Sequence, residues 1–168
     1  GIIGTLGNGL YGKLNTTVHT TPDAVTCHAF MSDMLEYEAS DIVMEVSSHA
    51  LEQGRVNGVQ FDCAVFTNLS RDHLDYHGDM QAYAEAKAKL FSFDNLKFAV
   101  INFDDDFGQE LALRVQKPTR LIRFACSTEH GQADVLASDI KLTNDGMQFD
   151  VTTPWGKARV SASLMGRF

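Results

Sequence analysis

The sequence predicts an α/β fold, a mostly parallel sheet flanked by helices and followed by a C-terminal antiparallel β appendix. Three observations carry that expectation. Short continuous apolar runs stand at Ile42-Val43-Met44, Cys63-Ala64-Val65-Phe66 and Phe98-Ala99-Val100-Ile101. Each is too short for a buried helix and reads as a strand of a parallel sheet covered on both faces. Helical periodicity lies before, between and after these runs, and the last third changes to alternation punctuated by turn residues.

Gly7-Asn8-Gly9-Leu10-Tyr11-Gly12 satisfies GxGxxG and, with Lys13, GxxxxGK. Both phosphate-binding devices need a helix directly after the glycines, because its N-terminal amides and dipole hold the phosphate. The next residues, Leu14-Asn15-Thr16-Thr17-Val18-His19-Thr20-Thr21-Pro22, are β-branched without amphipathic period, and Leu14 stands where a Mg²⁺-binding hydroxyl belongs. A glycine-rich turn between extended segments is expected instead. Thr21-Pro22-Asp23 then offers an N-cap, a proline at the first helical position and an early acid. Ala24, Cys27, Met31, Met34 and Leu35 recur at helical spacing, predicting a helix over 22–37. Ser47-Ser48-His49 caps a short helix containing Leu51, Gln53 and Arg55 and ending near Gly58. Further helices are expected over 79–92 and 105–116. Ile140-Lys141-Leu142-Thr143, the turn Asn144-Asp145-Gly146 and alternation from Met147 to Val151 predict an antiparallel hairpin. A second turn at Pro154-Trp155-Gly156 leads into Ala158-Arg159-Val160-Ser161.

Composition narrows the function. The 168 residues carry 14 Lys+Arg against 22 Asp+Glu, a formal charge of −8, which argues against nucleic-acid binding, since that needs clustered cations to displace counterions. No apolar run approaches the ~20 residues of a membrane span, so no membrane insertion is expected. Cys27, Cys63 and Cys126 form no CxxC pair, which argues against a zinc knuckle or disulfide framework and for a cytoplasmic location. Without a repeat, low-complexity tract or linker, no internal boundary is placed. The chain opens inside an apolar phrase, Gly1-Ile2-Ile3-Gly4, and stops at Gly166-Arg167-Phe168 without a polar tail; it is expected to be a segment of a longer protein.

Open parallel sheets place their chemistry beyond the carboxyl ends of the strands, here Glu45, Thr67-Asn68 and Asn102. The segment Thr67-Asn68-Leu69-Ser70-Arg71-Asp72-His73-Leu74-Asp75-Tyr76-His77-Gly78 starts at such an end and runs toward a helix N-terminus near Asp79. Asp72, His73, Asp75 and His77 supply oxygen and nitrogen donors for a divalent ion, or else form a solvated loop with a capping Asp. Glu45 interrupts an apolar run, where a carboxylate needs a partner, a cation or an exposed edge strand. On a helical wheel of 79–92, Met80, Tyr83, Ala84, Leu90 and Phe91 form one stripe with Lys87 at its centre, while Glu85 and Lys89 lie opposite at i,i+4. An inward lysine snorkels, finds an anion, loses its proton or is modified.

The phrase from Thr67 to Gly78, preceded by Met44-Glu45-Val46-Ser47-Ser48-His49, resembles the Mur ligases of peptidoglycan synthesis and, within them, the MurE branch. Gly4-Thr5-Leu6-Gly7-Asn8-Gly9, Thr20-Thr21-Pro22, Ile101-Asn102-Phe103-Asp104-Asp105 and Leu164-Met165-Gly166-Arg167-Phe168 support the resemblance over essentially the whole chain. Sister ligases and folylpolyglutamate synthetases share only a looser TN…DH core. The resemblance implies a P-loop-like central domain of an ATP-dependent amide-bond ligase. Its substrates are UDP-N-acetylmuramoyl-L-alanyl-D-glutamate and a third amino acid, diaminopimelate or lysine, joined through an acyl phosphate. It implies Glu45 and His73 as Mg²⁺ ligands, Lys87 carbamylated into a third, and Asn68 as a cofactor contact. Thr20, Thr21, Ser47, Gln53 and Arg55 match positions that hold the muramoyl dipeptide, and Arg55 suits its carboxylate or phosphate oxygens. It also implies that the phosphate loop lies upstream of Ile2-Ile3, and that the N- and C-terminal domains gripping UDP and selecting the amino acid lie outside these residues, leaving the segment catalytically silent alone. Three other readings compete: another Mur or folylpolyglutamate-type ligase, a metal-dependent phosphohydrolase built on Asp72, His73, Asp75 and His77, and a non-catalytic nucleotide-binding or interaction module, which gives no reason for the inward lysine.

Overall fold

The structure, a computed structural model, describes residues 1–127 and 133–164; the closing phrase from Met165 to Phe168 lies outside the described residues. The chain divides into two compact units, Gly1–Gln60 with Arg71–Phe93, and Phe61–Ser70 with Asp94–Phe168. They interleave in sequence, which is why no composition shift marks a boundary. Among the described residues no helix is long and apolar enough to cross a membrane.

In the first unit, β1 (Ile2–Gly4), β2 (Gly7–Leu10) and β3 (Lys13–Asn15) form an antiparallel meander, and β4 (Val43–Met44) joins β1 in parallel, giving the order β3-β2-β1-β4. The glycines of the GxGxxG phrase build this meander. Gly9 has φ +145°, and a Cβ there would lie 2.6 Å from the Lys13 carbonyl oxygen, so strand crossing, not phosphate binding, requires glycine. No helix follows until α1 (Ala24–Glu36), as expected. Its cap is Asp23, which accepts from Thr26 N, and not Thr21 as the sequence suggested. The Thr21 hydroxyl is committed elsewhere, donating to the Glu45 carbonyl and accepting from Ser47 N. Ile3, Cys27 and Met34 form a core against which Leu10, Phe30, Met31 and Met44 pack; Leu35, placed on the same stripe by periodicity, is 70% exposed.

The rest of this unit is helical. α2 (Ser48–Glu52) is capped by Ser47 and ends with Gln53 as C-cap, so Arg55 lies past the helix and not within it. Gly54, at φ +67°, turns the chain there. α3 (Leu74–His77) is one turn long. α4 (Met80–Ala88) is capped by Asp79 and tightens into a 3₁₀ turn over Lys89–Ser92. The expected inward face holds, with Tyr83 and Ala84 buried and Lys87 half-buried. Lys89 reaches Glu52 on α2 at 2.5 Å instead of taking its partner from its own helix.

In the second unit, β5 (Cys63–Phe66), β6 (Phe98–Asn102), β7 (Arg120–Ala125) and β8 (Val135–Thr143) run parallel, and β9 (Gly146–Thr153) and β10 (Gly156–Ala162) extend the sheet antiparallel. This is the mostly parallel sheet with an antiparallel appendix that the sequence predicted. The Ile42–Met44 run, by contrast, contributes to the four-stranded sheet of the first unit. Ala64 and Phe66 are buried whereas Cys63 and Val65 are exposed; α5 (Asp106–Arg114) supplies Phe107, whose ring meets Phe66 at 5.8 Å.

β7 was not predicted. Its arginines break the apolar run, and Arg123 finds its partner in Asp134, whose carboxylate takes Arg123 N at 2.8 Å, Nε at 3.0 Å and Nη2 at 3.1 Å. These hydrogen bonds hold the Asp134 carboxyl below its usual range, against the opposing pull of partial burial. A carboxyl whose folded pKa is depressed stabilises the fold above its unfolded value and loses that contribution as pH falls through the folded one. The Tm difference between wild type and Asp134→Asn is therefore expected to be full at neutral pH and to shrink in acid below the ordinary aspartate value. Thermal melts across pH check this; a difference unchanged in that acid range refutes the contribution of the charge.

Candidate active site

Glu45 leaves β4 immediately after the last paired residue, and its side chain is exposed. Its Oε2 accepts from Thr5 N at 3.1 Å and from Thr5 Oγ1 at 2.5 Å, so the carboxylate in an apolar phrase is both solvated and partnered. Gly4 makes room for it: a Cβ there would lie 2.8 Å from Glu45 Cδ. Thr5 Oγ1 also meets Thr20 Oγ1 at 3.3 Å.

A polar network continues from this strand end. Buried Thr21 bonds the Glu45 carbonyl at 2.8 Å and Ser47 N at 2.9 Å, which fixes how the chain leaves β4 and enters α2. Ser47 Oγ accepts from Ala50 N as the cap of α2. Arg55 donates to the Thr21 carbonyl through Nη1 at 2.9 Å and to Gln53 Oε1 through Nε at 2.8 Å and Nη2 at 2.5 Å. Thr20, Thr21, Ser47, Gln53 and Arg55, assigned together from the resemblance, thus stand together beside Glu45 through contacts that run up to 34 positions along the chain.

His73 sits at the N-cap of α3 with φ 54° and ψ 23°, a left-handed conformation uncommon outside glycine. Asp72 Oδ1 accepts from His73 N at 2.8 Å and lies 3.5 Å from Nδ1. The His73 ring packs edge-on to His49 at 4.9 Å and to Tyr83 at 5.8 Å. The Lys87 ammonium lies 5.3 Å from the centroid of that same Tyr83 ring. His73 and Lys87, from separate elements, therefore converge on one buried aromatic. Burial, and secondarily the Asp72 charge, raise the Tyr83 phenol above its ordinary value, keeping it neutral.

His49 and Tyr76, which the sequence reading did not single out, and His77, read there as a metal donor, complete the ring cluster. His49 packs at 4.1 Å on Tyr76 and 5.4 Å on His77, and His77 stacks on Tyr83 at 5.2 Å. Burial, and then the neighbouring imidazoles His73 and His77, lower the His49 pKa. Their signal was the spacing of 73, 76 and 77, which sets three rings on one helical face. His77 Nε2 lies 2.9 Å from Ser48 Oγ, so it braces α3 on α2. Among the described residues, no three or more His, Cys, Asp or Glu side chains are arranged to hold a metal. That overturns the four-ligand cluster of Asp72, His73, Asp75 and His77 and the phosphohydrolase built on it.

By type, Glu45 brings an oxygen donor and His73 a nitrogen donor of the kinds that divalent ions take. Glu45 offers exposed carboxylate oxygen, the hard donor Mg²⁺ prefers, and Asp72 beside Nδ1 matches the carboxylate that commonly orients a metal-bound imidazole from behind. Asn68 belongs to the second unit. Its neighbours are tethered there: Asn102 Nδ2 donates to the Thr67 carbonyl at 2.7 Å, and Asp105 Oδ2, from the α5 cap, accepts from Leu69 N at 2.8 Å.

Residues 1–168 match the Mur ligase middle domain family. The chain is 51% identical, over 99% of its length, to the UDP-N-acetylmuramoyl-L-alanyl-D-glutamate--2,6-diaminopimelate ligase of Chromobacterium violaceum, covering 33% of that protein. It is 50% identical to the protein of the same name from Pseudomonas syringae pv. tomato, covering 34% of it. A solved structure of a ligase of that name superposes with a TM-score of 0.88 at 38% identity, over 99% of this chain and 34% of the other. The Acinetobacter baumannii UDP-N-acetylmuramoylalanyl-D-glutamyl-2,6-diaminopimelate--D-alanyl-D-alanyl ligase, at 24% identity and TM-score 0.60 over 75% of this chain and 27% of that one, shares the fold. The chain spans about a third of the length of the curated relatives it matches. Full-length family coverage and half-identity to these ligases lead to one assignment: the chain belongs to the Mur ligase middle domain family.

Proposed function

We propose that this chain is the central domain of a cytoplasmic ATP-dependent ligase that adds diaminopimelate to UDP-N-acetylmuramoyl-L-alanyl-D-glutamate. The observation that carries the proposal is the hydrogen-bonded set Thr21, Ser47, Gln53 and Arg55 at the Glu45 strand end. In the reaction, ATP phosphorylates the D-glutamate carboxylate. The amine of the third amino acid then attacks the acyl phosphate, forming the amide and releasing phosphate. Arg55 carries a fixed positive charge and, with Thr20, Thr21, Ser47 and Gln53, binds and orients the dipeptide, the acyl donor. Orientation of this kind converts a bimolecular step into an effectively intramolecular one. Glu45, His73 and carbamylated Lys87 are the residues that would hold Mg²⁺, which neutralises charge on the transferring phosphoryl group when bound. Asn68 contacts the nucleotide. On this reading the phosphate loop, the domain for UDP and the domain that selects the amino acid belong to sequence beyond these 168 residues, and the isolated chain does not ligate.

The test uses the full-length protein. With ATP, Mg²⁺, the UDP-muramoyl dipeptide and diaminopimelate, it is expected to release ADP and phosphate in step with amide product, followed by chromatography and mass. Lysine in place of diaminopimelate is expected to give little product. ATP hydrolysis that never yields an amide, whatever amino acid is supplied, overturns the proposal.

A further inference from the structure

We infer that Tyr76 is a further substrate-positioning residue, its hydroxyl donating a hydrogen bond to a carboxylate oxygen of the bound dipeptide. The inference rests on the ligase reading above and extends its binding set. It starts from the amide of Gln53. A guanidinium has only donors, so the atom that Arg55 touches through Nε and Nη2 is fixed as Gln53 Oε1. Those two bonds fill its acceptor capacity and forbid the flipped amide, leaving Nε2 turned to Tyr76, where it donates to the hydroxyl at 3.1 Å. The Tyr76 oxygen is thereby an acceptor within the protein. Among the described residues no group takes its own proton, and the side chain is 43% exposed.

The ring that carries this hydroxyl is pinned. His49 packs on it at 4.1 Å and His77 at 4.9 Å, and His77 is itself held by Ser48. The chain Thr21 carbonyl, Arg55, Gln53, Tyr76 therefore ends in a hydroxyl whose oxygen is held in place and whose proton is left to donate. A donor linked through Gln53 to a fixed guanidinium selects an acceptor with negative charge, and in the peptide part of the proposed substrate that class is carboxylate. Because the donor oxygen is held in place before the ligand arrives, little ordering is left to be done on binding.

The experiment is steady-state ligation by the full-length protein carrying Tyr76→Phe, with direct binding of the UDP-muramoyl dipeptide measured alongside. Phenylalanine keeps the ring packing and removes only the hydroxyl. The expected result is about a tenfold rise in KM and Kd for the dipeptide, the scale of one hydrogen bond to a charged group. The KM for ATP, kcat and Tm stay within about twofold or a few degrees of wild type. Because Tyr76 and Gln53 act through one bond, Tyr76→Phe is expected to add little in a Gln53→Ala background. An unchanged dipeptide KM overturns the inference. So does a loss spread equally over kcat and every KM, which is the mark of a merely structural residue. A wild-type protein that does not ligate this dipeptide refutes the ligase reading itself, and this inference with it.

Discussion

Lys87→Ala in the full-length protein is expected to lower ligation by about a hundred- to a thousandfold, the scale of losing one group that stabilises transition-state charge. Lys87 follows Tyr83 by one turn of α4, and its ammonium lies over the ring that also packs against His73. An ammonium at that place repels a cation. Loss of its proton frees the amine to attack carbon dioxide, and the N–C bond formed, with release of a second proton to solvent, leaves an anionic carbamate, the kind of oxygen ligand Mg²⁺ takes. Two readouts separate this from a structural effect. The intact mass is expected to carry one carbon dioxide at Lys87 under bicarbonate and to lose it in acid. Lys87→Arg, which keeps the charge and stem but has no nucleophilic amine, is expected to be as inactive as Lys87→Ala. Rates near wild type for either variant remove Lys87 from the metal site.

Gly108→Ala is expected to destabilise the second unit by about 3 kcal/mol, toward the top of the range for overpacking. That corresponds to a fall in Tm of roughly 10 °C for a domain of this size. Gly108 lies in the first turn of α5, where the helix crosses β6 so closely that a Cβ would stand 2.0 Å from the Asn102 carbonyl oxygen and 3.3 Å from the Phe66 ring. The obstacle is backbone, with no rotamer to yield. Relief must come from moving α5 or Asn102, and Asn102 holds the Thr67 carbonyl through Nδ2 and Asp104 N through Oδ1. The damage therefore reaches the turn that carries Asn68. Denaturant and thermal melts check the magnitude; a Tm within two degrees of wild type contradicts this packing.

Whatever a residue's near neighbours determine was legible in the sequence. Three apolar runs became β4, β5 and β6, and Asp79 and the Asn144-Asp145-Gly146 turn sat where their chemistry places them. The features that escaped depend on partners far along the chain. Arg120 and Arg123 disguised β7 because Asp134, and Trp155 under Arg120 at 5.9 Å, are invisible to a local window. Thr21 reads locally as a cap and is spent on Glu45 and Ser47. One-turn α3 is too short for periodicity to register. Residue types and spacing drew attention to Glu45, to Lys87 and to the group Asp72, His73, Asp75 and His77, and the resemblance chose His73 among the four. The acceptance of Thr5 by Glu45, 40 positions away, and the role of Tyr83 as common ground for His73 and Lys87 required the fold.

The interleaving of the two units has a consequence for how the protein is made. A ribosome emits the chain from the N-terminus, and domains tend to fold as they emerge. The first unit is complete once Phe93 is out, but Phe61–Ser70 has by then already been synthesised. Among the described residues its strand β5 pairs with β6 alone, which begins at Phe98. Through that interval both backbone edges of four apolar-rich residues are unpaired, against one edge in the finished sheet, the situation in which strands join the wrong partner. The more vulnerable species is a nascent chain with one unit folded and the other reduced to a single strand awaiting its sheet.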